Sequence, residues 1–569
     1  MIVSKPIFTH SPVEAEQGVC SGGHQLSAEA GVAVMPQGGN AIDALTAAAF
    51  TSFVTEPAAC GIGGYGHISI WLAAQNRFVT IDAYGRAPKA ATPDMFEVDP
   101  ASVTYYGHPF TKGRKADFGA LAPSVPGAIA GFCLAQELFG AIPLKKVLAP
   151  AIDAAEAGGI AFTFADKLSV ADRLTNGELL ADTKAVLLPR GALPLLARQA
   201  GGPDRIDTAQ LAKTLKAVAH KGPKAFYAGA LAEALGKYVA SVGGILSAED
   251  LAAYRPRVML EQPGDYRGIE YTTCFDQVAY EALNILEHDE LRGYGPDSFE
   301  FRHLFAEALG VAFTDSMTHY GDPDFVKAPV DGLASKAFAA ARRKQIKLTK
   351  ALPRPMQASD PWPYDAKGPA PEIVTNPVSL ARRDGTSQAA AVDRAGNLAS
   401  CCISVGSAYG SVVYVPALGC FLNNAMQNYD PRPGLPNSIA PGKMPIFAAP
   451  AMVAARRGKP VFAGSGSGGY RIETAVLHAF LNMVDHGMKA QAAVDHPRVH
   501  CQGQETVVDA RIDEKVRARL AKVGHKVVVD GEVPGNWPFG RVCSVAVDAR
   551  RKRLSGAAGP NWNTSVAGY

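Results

Sequence analysis

Residues 385–405 read GTSQAAAVDRAGNLASCCISV, and the architecture of the chain can be worked out from this segment. A run of small apolar residues, 389–392, is followed by a polar cluster, 393–397, and then by a second apolar run, 398–405. Two apolar runs joined by an Asp/Gly/Asn cluster are typical of a β-hairpin. The pattern predicts that Ser387 starts the first strand. A lone serine at a strand start is usually a polar edge residue, so its role depends on the rest of the chain.

The composition limits the class of protein. The chain has 569 residues, of which 47% are hydrophobic, so it can bury a core larger than that of one small domain. The formal net charge of +3 gives no strong field of one sign, which argues against binding to nucleic acid or to a membrane surface. Residues 1–18 lack the apolar core of a secretory signal peptide, and no stretch is long and apolar enough to span a bilayer. We therefore expect neither a nucleic-acid partner nor a membrane partner.

The cysteines and glycines give no indication of a metal or a cofactor. The nine cysteines are scattered, and neither a Cys-x-x-Cys nor a His-Glu-x-x-His motif occurs. This argues against a disulfide framework and a zinc site, and it favours a cytoplasmic location. Residues 61–66 match G-x-G-x-x-G, but they lie between a predicted helix and a predicted strand. A dinucleotide site needs the opposite order, strand then helix, so we expect no metal and no cofactor.

The remaining elements are predicted from apolar periodicity and from helix caps. Asn40 is a suitable N-cap for an Ala-rich helix over 41–54, whose lack of charge is typical of a helix buried on most sides. Further helices are predicted over about 124–139, 143–157, 208–220, 229–240, 299–313, 334–347 and 471–486. Strands are predicted over 67–72, 78–82, 419–424, 450–456, 459–463, 542–547 and 552–557. Frequent Pro and Lys and the loss of periodicity indicate a linker over about 349–386.

The glycine-rich loop 464–469, GSGSGG, precedes one of these helices. A loop of this kind can cradle a phosphate, but the lysine of the P-loop motif is absent. Its backbone amides can also stabilise an oxyanion. A plain flexible turn explains the composition equally well, so the sequence leaves both interpretations open.

Taken together and in this order, several motifs resemble the γ-glutamyltranspeptidase family of N-terminal-nucleophile hydrolases. The resemblance covers nearly the whole chain, and the motifs are specific as a set although none is specific alone. They are GGNAIDA (38–44), EPAACGIGG (56–64), SVPG (124–127), GGILSAEDLAAY (243–254), YGDPDFV (320–326), GTS (385–387), LNN (422–424), GG (468–469) and the terminal AGY (567–569).

The resemblance implies an α+β fold, a four-layer αββα sandwich, formed by a precursor that cuts itself. Cleavage is expected between Thr386 and Ser387, giving a large chain, 1–386, and a small chain, 387–569, which stay together as a heterodimer. Whether such heterodimers assemble further into a homo-oligomer is left open. The new α-amine of Ser387 then serves as the base that activates its own hydroxyl, since a serine hydroxyl alone is a poor nucleophile. The family usually has Thr at this position, and loss of the methyl group that restricts χ1 is expected to slow processing.

Other catalytic positions of the family carry over to this chain. Ser404 falls where the family has a Thr that supports the nucleophile. Gly468 and Gly469 fall on the backbone donors that hold the oxyanion.

The positions that recognise a γ-glutamyl group in the family do not carry over. Tyr84 replaces the Arg that binds the substrate carboxylate, although Arg86 stands two residues further on. At the other predicted acyl-site positions, Gly406 replaces an Asn of the family, Ala425 an amide or acid, and Asn428 an Asp, and Phe447 lies near the place of the family's Ser-Ser pair. Each of these residues has an alternative interpretation. Tyr84 and Phe447 could be ordinary core residues. Arg86 could form a surface ion pair, and Asn428 could be an exposed loop amide.

The free energy of the missing hydrogen bonds indicates which substrate to expect. A charge-assisted hydrogen bond contributes roughly 1.5–3 kcal/mol, so losing three or four would weaken γ-glutamyl recognition by several powers of ten, at about 1.4 kcal/mol per tenfold. We therefore expect a small-molecule amide substrate whose acyl group is not γ-glutamyl. A true γ-glutamyl hydrolase or transferase that uses Arg86 is the first alternative. A catalytically silent scaffold that never cleaves itself is the second.

Overall fold

The computed structural model describes the chain except residues 1–9, 105–106, 197–201, 261, 275, 367–384, 447–448, 533–537, 549–550, 552 and 560–562. The strands in the described part are β1 (Val13–Ala15), β2 (Gly18–Gly22), β3 (Tyr65–Leu72), β4 (Arg77–Ala83), β5 (Val98–Asp99), β6 (Phe110–Thr111), β7 (Ile160–Ala161), β8 (Arg205–Ile206), β9 (Arg257–Met259), β10 (Gly264–Tyr266), β11 (Ile269–Thr272), β12 (Thr386–Asp393), β13 (Leu398–Ser404), β14 (Tyr414–Val415), β15 (Cys420–Phe421), β16 (Met452–Arg456), β17 (Lys459–Ser467), β18 (Val499–Cys501), β19 (Glu505–Asp509), β20 (Lys526–Asp530), β21 (Arg541–Asp548), β22 (Arg553–Ala558) and β23 (Ser565–Gly568).

The α-helices of the same part are α1 (Gln25–Val34), α2 (Ala41–Thr55), α3 (Ala128–Phe139), α4 (Leu144–Glu156), α5 (Phe164–Asn176), α6 (Ala181–Leu187), α7 (Ala209–Lys221), α8 (Lys224–Tyr227), α9 (Ala230–Ser241), α10 (Ala248–Ala253), α11 (Gln277–Leu286), α12 (Leu291–Tyr294), α13 (Phe299–His319), α14 (Val330–Leu333), α15 (Lys336–Gln345), α16 (Arg471–Val484), α17 (Ala490–Asp495) and α18 (Glu514–Lys522). Among these helices, none combines the length and the apolar character that a bilayer-spanning helix needs.

Two seven-stranded antiparallel sheets form the centre of the molecule. Sheet I has the strand order β1-β22-β21-β17-β16-β11-β10, and sheet II has the order β23-β2-β12-β13-β3-β4-β9. The predicted hairpin is β12–β13, and its register places Thr386 opposite Ser404 and Ser387 opposite Ile403. The first strand residue is Thr386, one residue earlier than predicted. The hairpin lies near the middle of sheet II, so both of its strands have neighbours on either side.

Side-chain alternation along β12 separates two layers of the core. Ala390 and Val392 pack between the sheets, in a cluster that includes Val453 and Val545 of sheet I. The intervening alanines of β12 point to the opposite face, into a cluster with α2, α3, α4 and α7. Because successive side chains of a strand point to opposite faces, Ser387 belongs to the helix-covered face of sheet II.

Helices cover the outer face of each sheet, which completes the predicted four-layer αββα sandwich. All fifteen residues of α2 are buried, as its lack of charge predicts. On the other side, α11, α13 and α16 pack on sheet I through an extended apolar cluster. The fold class predicted from the family resemblance is therefore confirmed.

Several elements differ from their predicted bounds. Helix α13 continues to His319 although the residues after Phe313 are mostly polar, and most of these polar residues are buried. The strand predicted over 419–424 has only the two residues Cys420–Phe421. Strands β2 and β23 were not predicted, since they are short, contain glycine and obtain their partners from distant parts of the chain. In the described part of the predicted linker, 349–366, Met356 and Trp362 are buried, whereas residues 367–384 lie outside the described residues.

The turn of the central hairpin is fastened to the start of α2. Asp393 Oδ2 accepts hydrogen bonds from Ala41 N at 2.9 Å and from Asn397 Nδ2 at 2.8 Å. Its Oδ1 accepts from Asn397 N at 3.0 Å. One carboxylate thus satisfies an amide of the helix N-terminus and closes the turn.

We expect Asp393→Ala to lower the free energy of unfolding by about 2 kcal/mol, because it leaves buried donors without an acceptor. The measurement is chemical unfolding of the Ser387→Ala chain, which keeps the population uncleaved. Arg394→Ala, at the exposed neighbouring position, is the control and should change the free energy by less than about 0.5 kcal/mol. Equal effects of the two substitutions would contradict the assigned role of Asp393.

Candidate active site

Ser387 lies at the buried start of β12, with 1% of its surface exposed. Its Oγ donates a hydrogen bond of 2.8 Å to Oε2 of Glu56. A Cβ atom at Gly23 would lie 2.3 Å from this Oγ and 2.5 Å from Oε1 of Glu56. The close approach of the β2–α1 connection therefore requires glycine, and it closes the space around the hydroxyl.

Glu56 is the C-cap of α2 and is followed by Pro57, so its position is set by the end of that helix. The residue is only partly buried, but its carboxyl group faces inward. Burial raises the pKa of this carboxyl group, and the hydrogen bond from Ser387 and the charge of Arg541 oppose the rise only in part. Sequence reasoning missed Glu56 because it treated Glu56-Pro57 as a helix end and as part of a family motif.

A residue of sheet I contacts the peptide bond between Thr386 and Ser387. Arg541 lies at the start of β21, and its Nη2 donates to the carbonyl oxygen of Thr386 at 3.2 Å. The side chain of Thr386 points away from Ser387, and its Oγ1 lies 3.0 Å from Oγ of Ser404. Arg541 is buried and was also missed by sequence reasoning. The predicted cleavage site thus carries a cation on its carbonyl and a carboxylate on its nucleophile.

Ser404 contacts the residues before the nucleophile and not Ser387 itself. Its Oγ donates to the carbonyl of Gly385 at 2.7 Å and accepts from the amide of Gly406 at 2.8 Å. Together with the contact to Thr386, these bonds tie the end of β13 to the segment that would be cut. Ser404 therefore fixes the orientation of the predicted cleavage site.

We expect Ser404→Ala to slow self-cleavage by about tenfold, because a hydrogen bond contributes about 1 kcal/mol and 1.4 kcal/mol corresponds to tenfold. The rate is followed on denaturing gels after synthesis of the full chain. Ser400→Ala is the matched control, since Ser400 is buried on the same face of β13 and its Oγ has no hydrogen-bond partner among the described residues. An unchanged rate of self-cleavage in Ser404→Ala would contradict the orienting role of Ser404.

Gly468 and Gly469 connect β17 to α16 in left-handed backbone conformations, with φ of 130° and 59°. These φ values favour glycine at both positions. Ser467, the last residue of β17, is paired with Arg541 in the register of β17 and β21. The loop therefore lies at the same end of sheet I as the group that contacts Thr386. Neither glycine amide donates a hydrogen bond to another described residue, so both are available to an oxyanion.

The predicted acyl-site residues form an aromatic and amide cluster. The rings of Tyr65 and Tyr84 lie 4.2 Å apart between centroids, and Asn428 Nδ2 donates to the phenol oxygen of Tyr84. Burial raises the pKa of Tyr65, while hydrogen bonds to Tyr84, Ser404 and Asn428 oppose the rise. Ala425 belongs to the same buried apolar cluster as the two rings. Tyr65 was not among the predicted site residues, yet its hydrogen bond with Ser404 links the cluster to the predicted cleavage site.

Arg86 is buried, so it is not a surface side chain. Its Nη2 forms an ion pair with Oδ2 of Asp82. Burial alone would raise the pKa of Asp82, but the charges of Arg86 and His67 hold it below its usual value. Nη1 of Arg86 has no hydrogen-bond partner among the described residues.

Asn428 is buried too, whereas the predicted residue Phe447 lies outside the described residues.

One group of side chains in the described part has the spacing of metal ligands, namely His303, Glu307 and His525. Its atoms are already paired. Nδ1 of His303 lies 2.7 Å from Nε2 of His525, and Arg354 forms an ion pair with Glu307. A metal ion would have to displace the guanidinium, so this group is better explained as a buried hydrogen-bond network.

Comparisons with known proteins agree with this geometry. The family model for γ-glutamyltranspeptidase matches residues 27–569. Acylase ACY 1 proenzyme of Pseudomonas sp. strain SE83 is 36% identical over 92% of this chain and 89% of its own length. Glutathione hydrolase proenzyme of Bacillus subtilis strain 168 is 30% identical over 97% of this chain and 92% of its own length. The crystal structure of cephalosporin acylase from Bacillus halodurans superimposes with a TM-score of 0.83 at 27% identity, covering 98% of this chain and 97% of the acylase.

The similarity to these proteins extends over nearly the whole chain. The region that the family model matches contains the central hairpin, Gly468 and Gly469, and every strand of the two sheets except β1 and β2. The chain therefore belongs to the γ-glutamyltranspeptidase family of N-terminal-nucleophile hydrolases and is an amide hydrolase.

Proposed function

We propose that this protein is a self-cleaving acylase that uses Ser387 as its nucleophile and prefers acyl groups other than γ-glutamyl. The observation that carries the proposal is the arrangement at the start of β12, where Ser387 Oγ is bonded to a carboxylate and the Thr386 carbonyl to a guanidinium. A buried serine with both of these partners is poised for attack on the bond that precedes it. The proenzyme relatives support the same conclusion.

Cleavage after Thr386 leaves the two chains intertwined. The large chain contributes β2, β3, β4 and β9 to sheet II, while the small chain contributes β12, β13 and β23. Strand β12 pairs with a large-chain strand on one side and with β13 on the other. Separation would break the hydrogen bonds of a central strand and expose its apolar faces, so the product is a stable heterodimer.

In the processed enzyme, the α-amine of Ser387 takes the proton from its own Oγ, which attacks the carbonyl of the amide substrate. The amides of Gly468 and Gly469 hold the oxyanion. The amine of the substrate leaves with a proton from the α-ammonium group. Water then attacks the ester on Ser387 with the α-amine as base, releasing the carboxylic acid.

The aromatic and amide cluster is the basis of the preference for a neutral acyl group. The family's carboxylate-binding position is held by Tyr84, whose phenol is engaged by Asn428. The guanidinium of Arg86 is paired with Asp82. A γ-glutamyl group would bring a carboxylate and an ammonium to these neutral side chains, and burying such charges without partners costs several kcal/mol. A neutral acyl group is favoured by the same surroundings.

A second candidate function is hydrolysis or transfer of γ-glutamyl groups. It is favoured by the 30% identity to a glutathione hydrolase and by Nη1 of Arg86, which has no partner among the described residues. This nitrogen would have to reach the substrate carboxylate while Nη2 stays on Asp82.

Mass spectrometry tests the proposal directly. The purified protein is expected to show two masses, one for residues 1–386 and one for residues 387–569. A slowly hydrolysed acyl amide is expected to add its acyl mass to the smaller chain alone. A single full-length mass that persists for days after purification favours the third candidate, an uncleaved scaffold.

A further inference from the structure

Glu56 touches the reacting hydroxyl, and none of the steps above gives it a role. We propose that Glu56 is the general base of self-cleavage, taking the proton of Ser387 Oγ while Arg541 stabilises the charge that develops on the Thr386 carbonyl oxygen. This inference rests on the proposed function, because it concerns the step that creates the nucleophile. It assigns a base to the precursor, in which the base of the mature enzyme does not yet exist.

The precursor needs a base of its own. Before cleavage, the nitrogen of Ser387 is an amide in the peptide bond to Thr386, so it cannot accept a proton. The hydroxyls of Thr386 and Ser404 are bonded to each other, and the Thr386 side chain points to the other face of β12. Burial keeps the pKa of the neighbouring Cys60 thiol well above its usual value, so this thiol stays protonated. Glu56, at 2.8 Å from Oγ, is within the reach of a general base.

The surroundings of Glu56 suit a base that works near neutral pH. Burial raises the pKa of its carboxyl group toward the range in which a general base is most effective. The groups that face it come from four elements and their connections. They are Ser52 of α2, Cys60 of the following loop, Asp166 of α5, Ser387 of β12 and Arg541 of β21. Arg541 opposes this rise, because its positive charge favours the ionised form of the carboxyl group.

The covalent step balances as an acyl shift followed by hydrolysis. Ser387 Oγ bonds to the carbonyl carbon of Thr386 and transfers its proton to Glu56, and the carbonyl oxygen becomes an oxyanion beside Arg541. The bond from this carbon to the nitrogen of Ser387 then breaks, and protonated Glu56 returns the proton to that nitrogen. The product is an ester between Thr386 and Ser387 Oγ with a free α-amine. Water hydrolyses the ester, giving the carboxylate of Thr386 and the hydroxyl of Ser387.

The test follows the full-length chain after cell-free synthesis and transfer into buffer. Glu56→Gln keeps the shape of the side chain and is expected to slow cleavage by about 100-fold or more, the lower end of the range for a general base. Asp276→Asn is the matched control, because Asp276 is a buried acid with a raised pKa that accepts a hydrogen bond from Ala279 N at the start of α11 and is not among the groups that face Glu56. Its rate should stay within about threefold of the wild type.

Two further measurements separate a base from a structural contact. Formate or acetate is expected to restore cleavage in Glu56→Ala, since a small carboxylate can occupy the space and accept the proton. Hydroxylamine cuts an ester and is expected to leave Glu56→Gln intact, because this variant is blocked before the ester forms. Prompt cutting of Glu56→Gln by hydroxylamine would overturn the assignment.

The wild-type pH profile tests the inference without any substitution. The base must be ionised to act, so the cleavage rate should fall as pH drops through the raised pKa of Glu56 and level off above it. A rate that does not fall as the pH is lowered contradicts the inference, as does a Glu56→Gln chain that cleaves within threefold of the wild type. In both cases the proposed function stands as long as Ser387→Ala stays whole. A wild type that never cleaves is the outcome that defeats the proposed function itself.

Discussion

Ser387→Ala is expected to remain one chain of 569 residues and to lose at least about 10⁴-fold in kcat/KM, because it removes both the attacking atom and the event that frees its base. In the structure this oxygen is buried and bonded to Glu56, so the substitution deletes a contact without enlarging a side chain. The measurements are the mass of the purified chain and the turnover of an acyl anilide. Ser400→Ala, in the neighbouring strand, is the control and should be cleaved and active.

Ser387→Thr extends this prediction. The family usually has Thr at the nucleophile, and its methyl group restricts χ1. If the pocket formed by Gly23 and Glu56 accepts the methyl, the threonine chain should cleave at least as fast as the wild type. Turnover of acyl anilides by a folded, uncut Ser387→Ala chain would refute the assignment of the nucleophile.

The second large effect concerns the acyl group. We expect kcat/KM for a neutral acyl p-nitroanilide to exceed that for γ-glutamyl-p-nitroanilide by at least about 100-fold, since two missing charge-assisted hydrogen bonds of roughly 1.5 kcal/mol each already reach that ratio. The cause is the neutral pair Tyr84–Asn428 at the positions where the family has charged groups. The ratio is obtained by assaying both anilides with the same processed preparation.

Introducing charged residues at these two positions provides the matched comparison. Tyr84→Arg combined with Asn428→Asp is expected to move the ratio toward the γ-glutamyl compound by at least about tenfold, because it supplies a guanidinium and a carboxylate for the two substrate charges. Tyr65→Phe, which removes a hydroxyl of the same cluster without adding charge, should leave the preference unchanged. A strong preference of the wild type for the γ-glutamyl anilide would decide for the second candidate function.

The hairpin around Ser387 and the buried helix α2 were predictable from the chain alone. Their signals are local, since apolar runs, turn residues and an N-cap lie within a few positions of one another. The glycine-rich run 464–469 was predicted as a loop, whereas in the structure β17 continues to Ser467 and within this run only Gly468 and Gly469 have positive φ. What the local pattern left open there was whether the loop is a plain turn or an oxyanion site.

The positions of Glu56, Tyr65 and Arg541 relative to the predicted cleavage site were not predictable in this way. Glu56 is 331 residues from Ser387, and Arg541 is 155 residues from Thr386. No periodicity or spacing links residues so far apart, because their proximity depends on the packing of α2 and sheet I on the two faces of β12. The amino-acid sequence by itself predicted the strand that carries Ser387 and the buried helix α2, because their signals are local. Tertiary packing alone decided which carboxylate lies beside the hydroxyl, because that choice depends on how distant layers meet.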